Sequence, residues 1–197
     1  MKRNRSPRPP PKGGGSGQPS REQVCLKAVQ QGRLERACAL LQEGGVAANW
    51  QDDNGYSLFF HAIFRRHFQI AEALLAHGAN IDLPDRHGWT PLFWAAFNGH
   101  ADVVEFLAAH GADADAATCE GDRPLFMAAC KGHTAVVRLL LTAGARPDAA
   151  DASGHDAFWV ACIMHHEDIM KLLEAHSSNG AARLDAHQPS PDARHGH

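Results

Sequence analysis

Four glycines stand at a single interval: Gly55, Gly88, Gly121 and Gly154 are each 33 residues apart. Gly78, Gly111 and Gly144 keep the same step, as do Ala62, Ala95, Ala128 and Ala161, and again His67, His100, His133 and His166. A chain that repeats in several registers at once is built from one supersecondary unit. Such a unit is too small to bury its own apolar side and must stack on its neighbours to make a core.

The stretch from Asp85 to Ala117 shows the grammar of the unit. Asp85-Arg86-His87-Gly88 is a turn signal, with Gly88 suited to a positive φ. Thr90-Pro91 supplies a capping hydroxyl followed by proline at the first helical position. A short helix is expected through Leu92, Ala95 and Ala96, broken at Asn98-Gly99. A second, carrying Val103, Val104, Phe106 and Leu107 at helical spacing, closes at Gly111. In the unit from Asp52, Ser57-Leu58 stands where Thr90-Pro91 stands here, so a less sharply fixed helix start is expected. The ends are atypical, as capping units should be. In the first unit Ala28, Gly32, Leu40 and Gly44 lie 34 residues before Ala62, Arg66, Leu74 and Gly78, which implies one extra residue after Gly44. In the last, His165 replaces the inter-helix glycine.

The sequence DRHGWTPLFWAAFNGHADVVEFLAAHGADAD resembles an ankyrin repeat, and CEGDRPLFMAACKGHTAVVRLLLTAGARPD is nearly as clear. The resemblance spans about residues 20–176. It implies an all-α ankyrin-repeat solenoid of stacked turn-helix-turn-helix units, about five with the caps, over 20–51, 52–84, 85–117, 118–150 and 151–176. It also implies a concave binding surface made by turn tips and the exposed side of each first helix. At the matching positions that surface would hold Asp53, Asn54, Tyr56, Phe64 and Arg65, then Arg86, His87, Trp89, Phe97 and Asn98. Cys119, Glu120, Asp122, Cys130 and Lys131 follow, and then Ala152, Ser153, His155, Ile163 and Met164.

Tyr56, Phe64, Trp89 and Phe97 recur where a repeat needs no core residue, and aromatic side chains dominate binding hot spots. Rimmed by Arg65, Arg86 and Lys131, these four are expected to form the centre of a protein interface. The alternative is that they pack against each other or a flank. One register departs from the family's T-P-L-H: Phe60, Phe93, Phe126 and Trp159 stand where histidine bonds across turns. Aromatic packing between adjacent units is expected to replace that polar tie.

Charge narrows the partner class. Six of the 19 basic residues stand in residues 1–21 without an acid, so the remaining 13 face all 22 acidic residues, a balance near −9 that disfavours general nucleic-acid binding by the array. No apolar run approaches a membrane span. Pro7 to Gly17 occupies the place of a signal-peptide apolar segment, so export by that route is not expected. The five cysteines, odd in number and without a C-x-x-C pair, read as free thiols in a reducing, cytoplasmic setting, with the nucleus left open.

Fourteen histidines invite a metal reading, but the repeat explains most of them. One register opens the second helices. Another, His77, His110 and His176, closes them, where an imidazolium suits the helix dipole. No Cys or His cluster has zinc spacing and no nucleophile carries a distinctive flank, so neither metal, cofactor, small-molecule substrate nor enzymatic activity is expected. The expected function is a monomeric, non-catalytic adaptor, scaffold or inhibitor that binds a partner protein. Disordered tails are expected at residues 1–19 and 177–197. The basic, proline-rich first tail leaves open electrostatic anchoring to an acidic partner, membrane or nucleic acid, and its Pro7-to-Lys12 segment fits a pattern some SH3 domains accept.

Overall fold

The computed structural model of the chain describes residues 19–151 and 153–177, so the two expected tails and Ala152 lie almost wholly outside the described residues. Ten helices occur among them, in five pairs: α1 (Arg21–Gln30) with α2 (Leu34–Gln42), α3 (Leu58–Phe64) with α4 (Phe68–Ala76), α5 (Pro91–Asn98) with α6 (Ala101–Ala109), α7 (Pro124–Lys131) with α8 (Thr134–Thr142), and α9 (Ala157–Ile163) with α10 (Glu167–His176). The first helices pack in succession, α1 on α3, α3 on α5, α5 on α7 and α7 on α9, to make one layer. The second helices make the other, with α2 on α4, α6 on α8 and α8 on α10. Rings of Phe68 and Phe106, stacked at 4.8 Å, join α4 to α6.

The core lies between the layers, and its registers are those of the repeat. Ala62, Ala95, Ala128 and Ala161 are fully buried, and a small side chain there lets neighbouring first helices approach. Leu74, Leu107, Leu140 and Leu173 are buried on the second helices, each worth about 1.5–3 kcal/mol in area removed from water. Ala28 and Leu40 are buried in the first pair, at the offset of 34 that the inserted residue implies. Gly44 and Gly45, at φ 74° and 93°, take up the insertion.

Side chains cap the starts of four first helices, α1, α3, α5 and α9. Thr90 Oγ1 accepts the Phe93 N–H at 3.1 Å, and Ser57 Oγ accepts that of Phe60 at 3.0 Å. The expected looseness at Ser57 is therefore corrected, because a serine hydroxyl caps without needing proline after it. In α7 the capping position holds Arg123, whose Nη1 reaches back to the Asp115 carbonyl at 2.8 Å.

Two kinds of tie stitch successive units. Asn49 Oδ1 accepts the Asn80 N–H at 2.6 Å, Asp82 that of Asp113 at 3.1 Å and Asp115 that of Arg146 at 3.2 Å; Ser177 Oγ donates to Asp148 at 2.6 Å. The second tie explains the opening-histidine register. None of these side chains caps its own helix. A Cβ on Gly99 would lie 2.7 Å from the His133 ring, and one on Gly132 would lie 2.8 Å from that of His166. Each glycine thus supplies both a left-handed backbone and the space in which the next unit's imidazole sits. Arg66 and His165 fill the equivalent backbone positions at φ 57° and 58° without that advantage. The closing histidines bond their own helices: Nδ1 of His77, His110 and His176 meets the carbonyl four residues earlier at 2.7–2.8 Å.

Candidate functional face

Each turn before α3, α5, α7 and α9 is organised by one acceptor. Asp52 takes the N–H groups of Asn54 and Tyr56, Asp85 those of His87 and Trp89, Thr118 those of Glu120 and Asp122, and Asp151 those of Ser153 and His155. Asp52 also meets His61 Nε2 at 2.9 Å. The expectation that aromatic contact between units replaces the turn's polar tie is thus corrected: the tie is kept, with the turn's own Asp or Thr as acceptor. The aromatic register packs mainly within its own unit, Phe60 on Tyr56 at 4.7 Å, Phe93 on Trp89 at 5.0 Å and Trp159 on His155 at 3.7 Å. Adjacent turns also touch, since a Cβ on Gly88 would come within 2.8 Å of the Cys119 nitrogen.

The four aromatics singled out by the repeat fall into two neighbouring groups. Trp89 lies 5.2 Å from Phe97, and Lys131 Nζ sits 4.6 Å from the centre of the Phe97 ring, in cation–π contact. Phe64 lies 4.6 Å from Trp94 of the next unit, and Trp94 lies 6.1 Å from Phe60, which carries Tyr56. Tyr56, Trp89 and Phe97 are half-buried by these contacts, whereas Phe64 is 51% exposed. The rings do pack on one another, as the alternative reading held, and still leave apolar surface on α3 and α5. Trp94 is the member that the sequence comparison passed over. It lies 30 residues beyond Phe64, one unit less one helical turn, and that spacing marks it as Phe64's neighbour across the boundary.

Around these rings Asp53, Asn54, Arg65, Arg86, His87, Asn98, Glu120 and Lys131 are exposed, while Asp122 and His155 are half-buried. Ile163 and Met164 at the end of α9 are the other large hydrophobic side chains found exposed among the described residues, two units or more away from the aromatic groups. Burial, helped by the carboxylates of Asp85 and Asp52, pushes the Tyr56 hydroxyl above its ordinary pKa, so it remains a neutral donor. Burial raises Asp122 too, with Glu120 and Asp151 adding to the effect. Burial also raises the thiols of Cys25 and Cys162, opposite to what a nucleophilic cysteine needs.

Among the described residues no group of three or more His, Cys, Asp and Glu stands together as a metal would require. No helix among them is long and apolar enough to cross a membrane. What the geometry presents is a solenoid of helix pairs with aromatic side chains on α3 and α5 and exposed cations at Arg65, Arg86 and Lys131.

The class is thus a helical-repeat solenoid. A family model described as ankyrin repeats (3 copies) matches residues 26–118 and 111–183, and the chain belongs to the ankyrin repeat family. No curated protein matches it. Ankyrin repeats are generally protein–protein interaction modules, and proteins built from them are typically non-catalytic.

Proposed function

We propose that this chain is a non-catalytic recognition module, acting as adaptor, scaffold or inhibitor, that grips a partner protein through the first-helix face of α3 and α5. The observation that supports it is the Phe64 ring, half exposed against Trp94, with the Trp89–Phe97 pair and the Lys131 ammonium over Phe97 on the neighbouring unit. A contiguous apolar surface rimmed by polar groups is what an interface core needs, and large rigid rings supply contact area at small entropic cost. The flanking positions Asp53, Asn54, His87, Asn98, Glu120, Asp122 and His155 form the polar rim in this reading.

The test is affinity capture by the purified full chain, comparing wild type with the Trp89→Ala, Phe97→Ala double variant and with Arg138→Glu on the exposed side of α8. Partners bound through the first-helix face are lost by the double variant, by roughly 2 kcal/mol or more per hot-spot residue, and kept by the α8 variant. Equal retention by the double variant, with its helical content intact, would refute the proposal.

A further inference from the structure

The charges around the aromatic surface are sorted. Asp52 and Asp85 are held by their own turns, and Asp102 is held by Arg66 at 2.7 Å. Among the described residues no carboxylate pairs with Arg65, Arg86 or Lys131. Two of these cations share a register: Arg65 follows the last residue of α3 and Lys131 is the last residue of α7, with Asn98 at the same place in α5. The exposed carboxylates Asp53 and Glu120 stand on the turns, at the opposite end of helices that are about 12 Å long. A ligand lying along the C-terminal ends of α3, α5 and α7 therefore meets cation, amide, cation, with Phe64, Trp94 and Phe97 beside them.

We infer that the partner presents a carboxylate-bearing segment with an apolar anchor. Its acids reach Arg65 and Lys131, and an aliphatic or aromatic side chain between them sets against Trp94 and Phe97. This rests on the recognition reading above and names the chemistry of what is recognised. Two helix-to-helix steps of ~8–10 Å separate the cations at their bases. The acids therefore stand about five or six residues apart on an extended segment, at ~3.3 Å per residue. On a helix, at ~1.5 Å per residue, they stand about 11–13 apart. A single-stranded nucleic acid would also meet cations and rings, but the balance of 13 basic against 22 acidic residues over 22–197 repels a polyanion, and three cations are few against it.

The experiment selects random dodecapeptides on the full chain. Synthesised winners are then titrated, by Trp fluorescence and calorimetry, against wild type, Arg65→Glu with Lys131→Glu, Trp89→Ala with Phe97→Ala, and Arg138→Glu. An oligothymidylate of the same length is run as competitor. The expected winners carry acids on both sides of an apolar residue. Charge reversal weakens them roughly tenfold or more, Arg138→Glu leaves them unchanged, and raised salt weakens them. Thermal melts confirm that each variant is folded before its titration counts. Neutral or basic winners that still need Trp89 and Phe97 would overturn the acidic chemistry while leaving the recognition face standing. Winners indifferent to the aromatic variant would overturn the face itself. Displacement by oligothymidylate at matching concentration, or an absence of winners, would overturn the peptide assignment.

Discussion

The ring of Phe64 lies 4.6 Å from that of Trp94, tilted by 38°, across the boundary between the second and third helix pairs. One partner is half exposed and the other rests on the core, so the pair joins the stacking of units to the proposed recognition surface. The two halves separate by mutation. Phe64→Ala is expected to change unfolding free energy by no more than about 1 kcal/mol yet to weaken partner binding. Trp94→Ala is expected to cost about 2 kcal/mol or more of stability by opening space over the core. Urea denaturation beside a binding titration reads both. A larger stability loss at Phe64 than at Trp94 would reverse the assignment.

The inter-unit carboxylate at Asp82 has a cost. Burial raises its pKa and the Asp113 charge adds to that, while the hydrogen bond from the Asp113 N–H works the other way. A folded-state pKa above the unfolded one means that the ionised form is disfavoured in the fold. Stability is therefore reduced at neutral pH and recovered as pH falls through the raised value. Asp82→Asn keeps an acceptor without the charge, so it is expected to be more stable than wild type at pH 7, with the gap closing as pH falls. Denaturation midpoints at several pH values measure this, and a gap that widens in acid would contradict it.

Asp102 behaves oppositely. Burial works to raise its pKa, but the hydrogen bond and charge of Arg66, with backbone donors, outweigh it and hold the carboxyl below its ordinary range. The resulting stability is present above the unfolded-state pKa and lost as pH falls through the folded one. Both partners are about half exposed, so Asp102→Asn is expected to cost only ~0.2–1 kcal/mol, and less at high salt. Urea unfolding at low and high ionic strength checks it.

His165 is held at φ 58°, where three of the other units carry Gly32, Gly99 and Gly132. Removing its Cβ relieves the left-handed strain, so His165→Gly is expected to stabilise the last unit by about 1 kcal/mol. Arg66→Gly gains less, because it also breaks the pair with Asp102. Gly132→Ala runs the other way, since its Cβ would meet both the left-handed backbone and the His166 ring. Thermal unfolding of the three variants gives the order, and a stabilising Gly132→Ala would deny the His166 packing.

Legibility in the sequence followed the registers. Glycines and alanines at one interval give the helix pairs, because identical positions do identical jobs in each unit. Contacts that run between different registers were not visible that way. Phe64 meets Trp94 at 30 residues, Asp82 meets Asp113 at 31, and Gly99 meets His133 at 34, each a unit shortened or lengthened by part of a helical turn. The turn acceptors were hidden for another reason. Asp52, Asp85, Thr118 and Asp151 keep one 33-residue register, aspartate in three of the four, but a register does not say which backbone N–H groups a side chain accepts from.

The most direct measurement places a photo-crosslinking residue at Asn98, beside Phe97 on α5, and in a second protein at Glu105, exposed on α6. Asn98 is expected to capture a partner protein in cell extract, the capture to be abolished by Trp89→Ala with Phe97→Ala, and Glu105 to capture none of it. Capture from Glu105 alone, or capture from Asn98 that survives loss of both rings, would contradict recognition by the aromatic face.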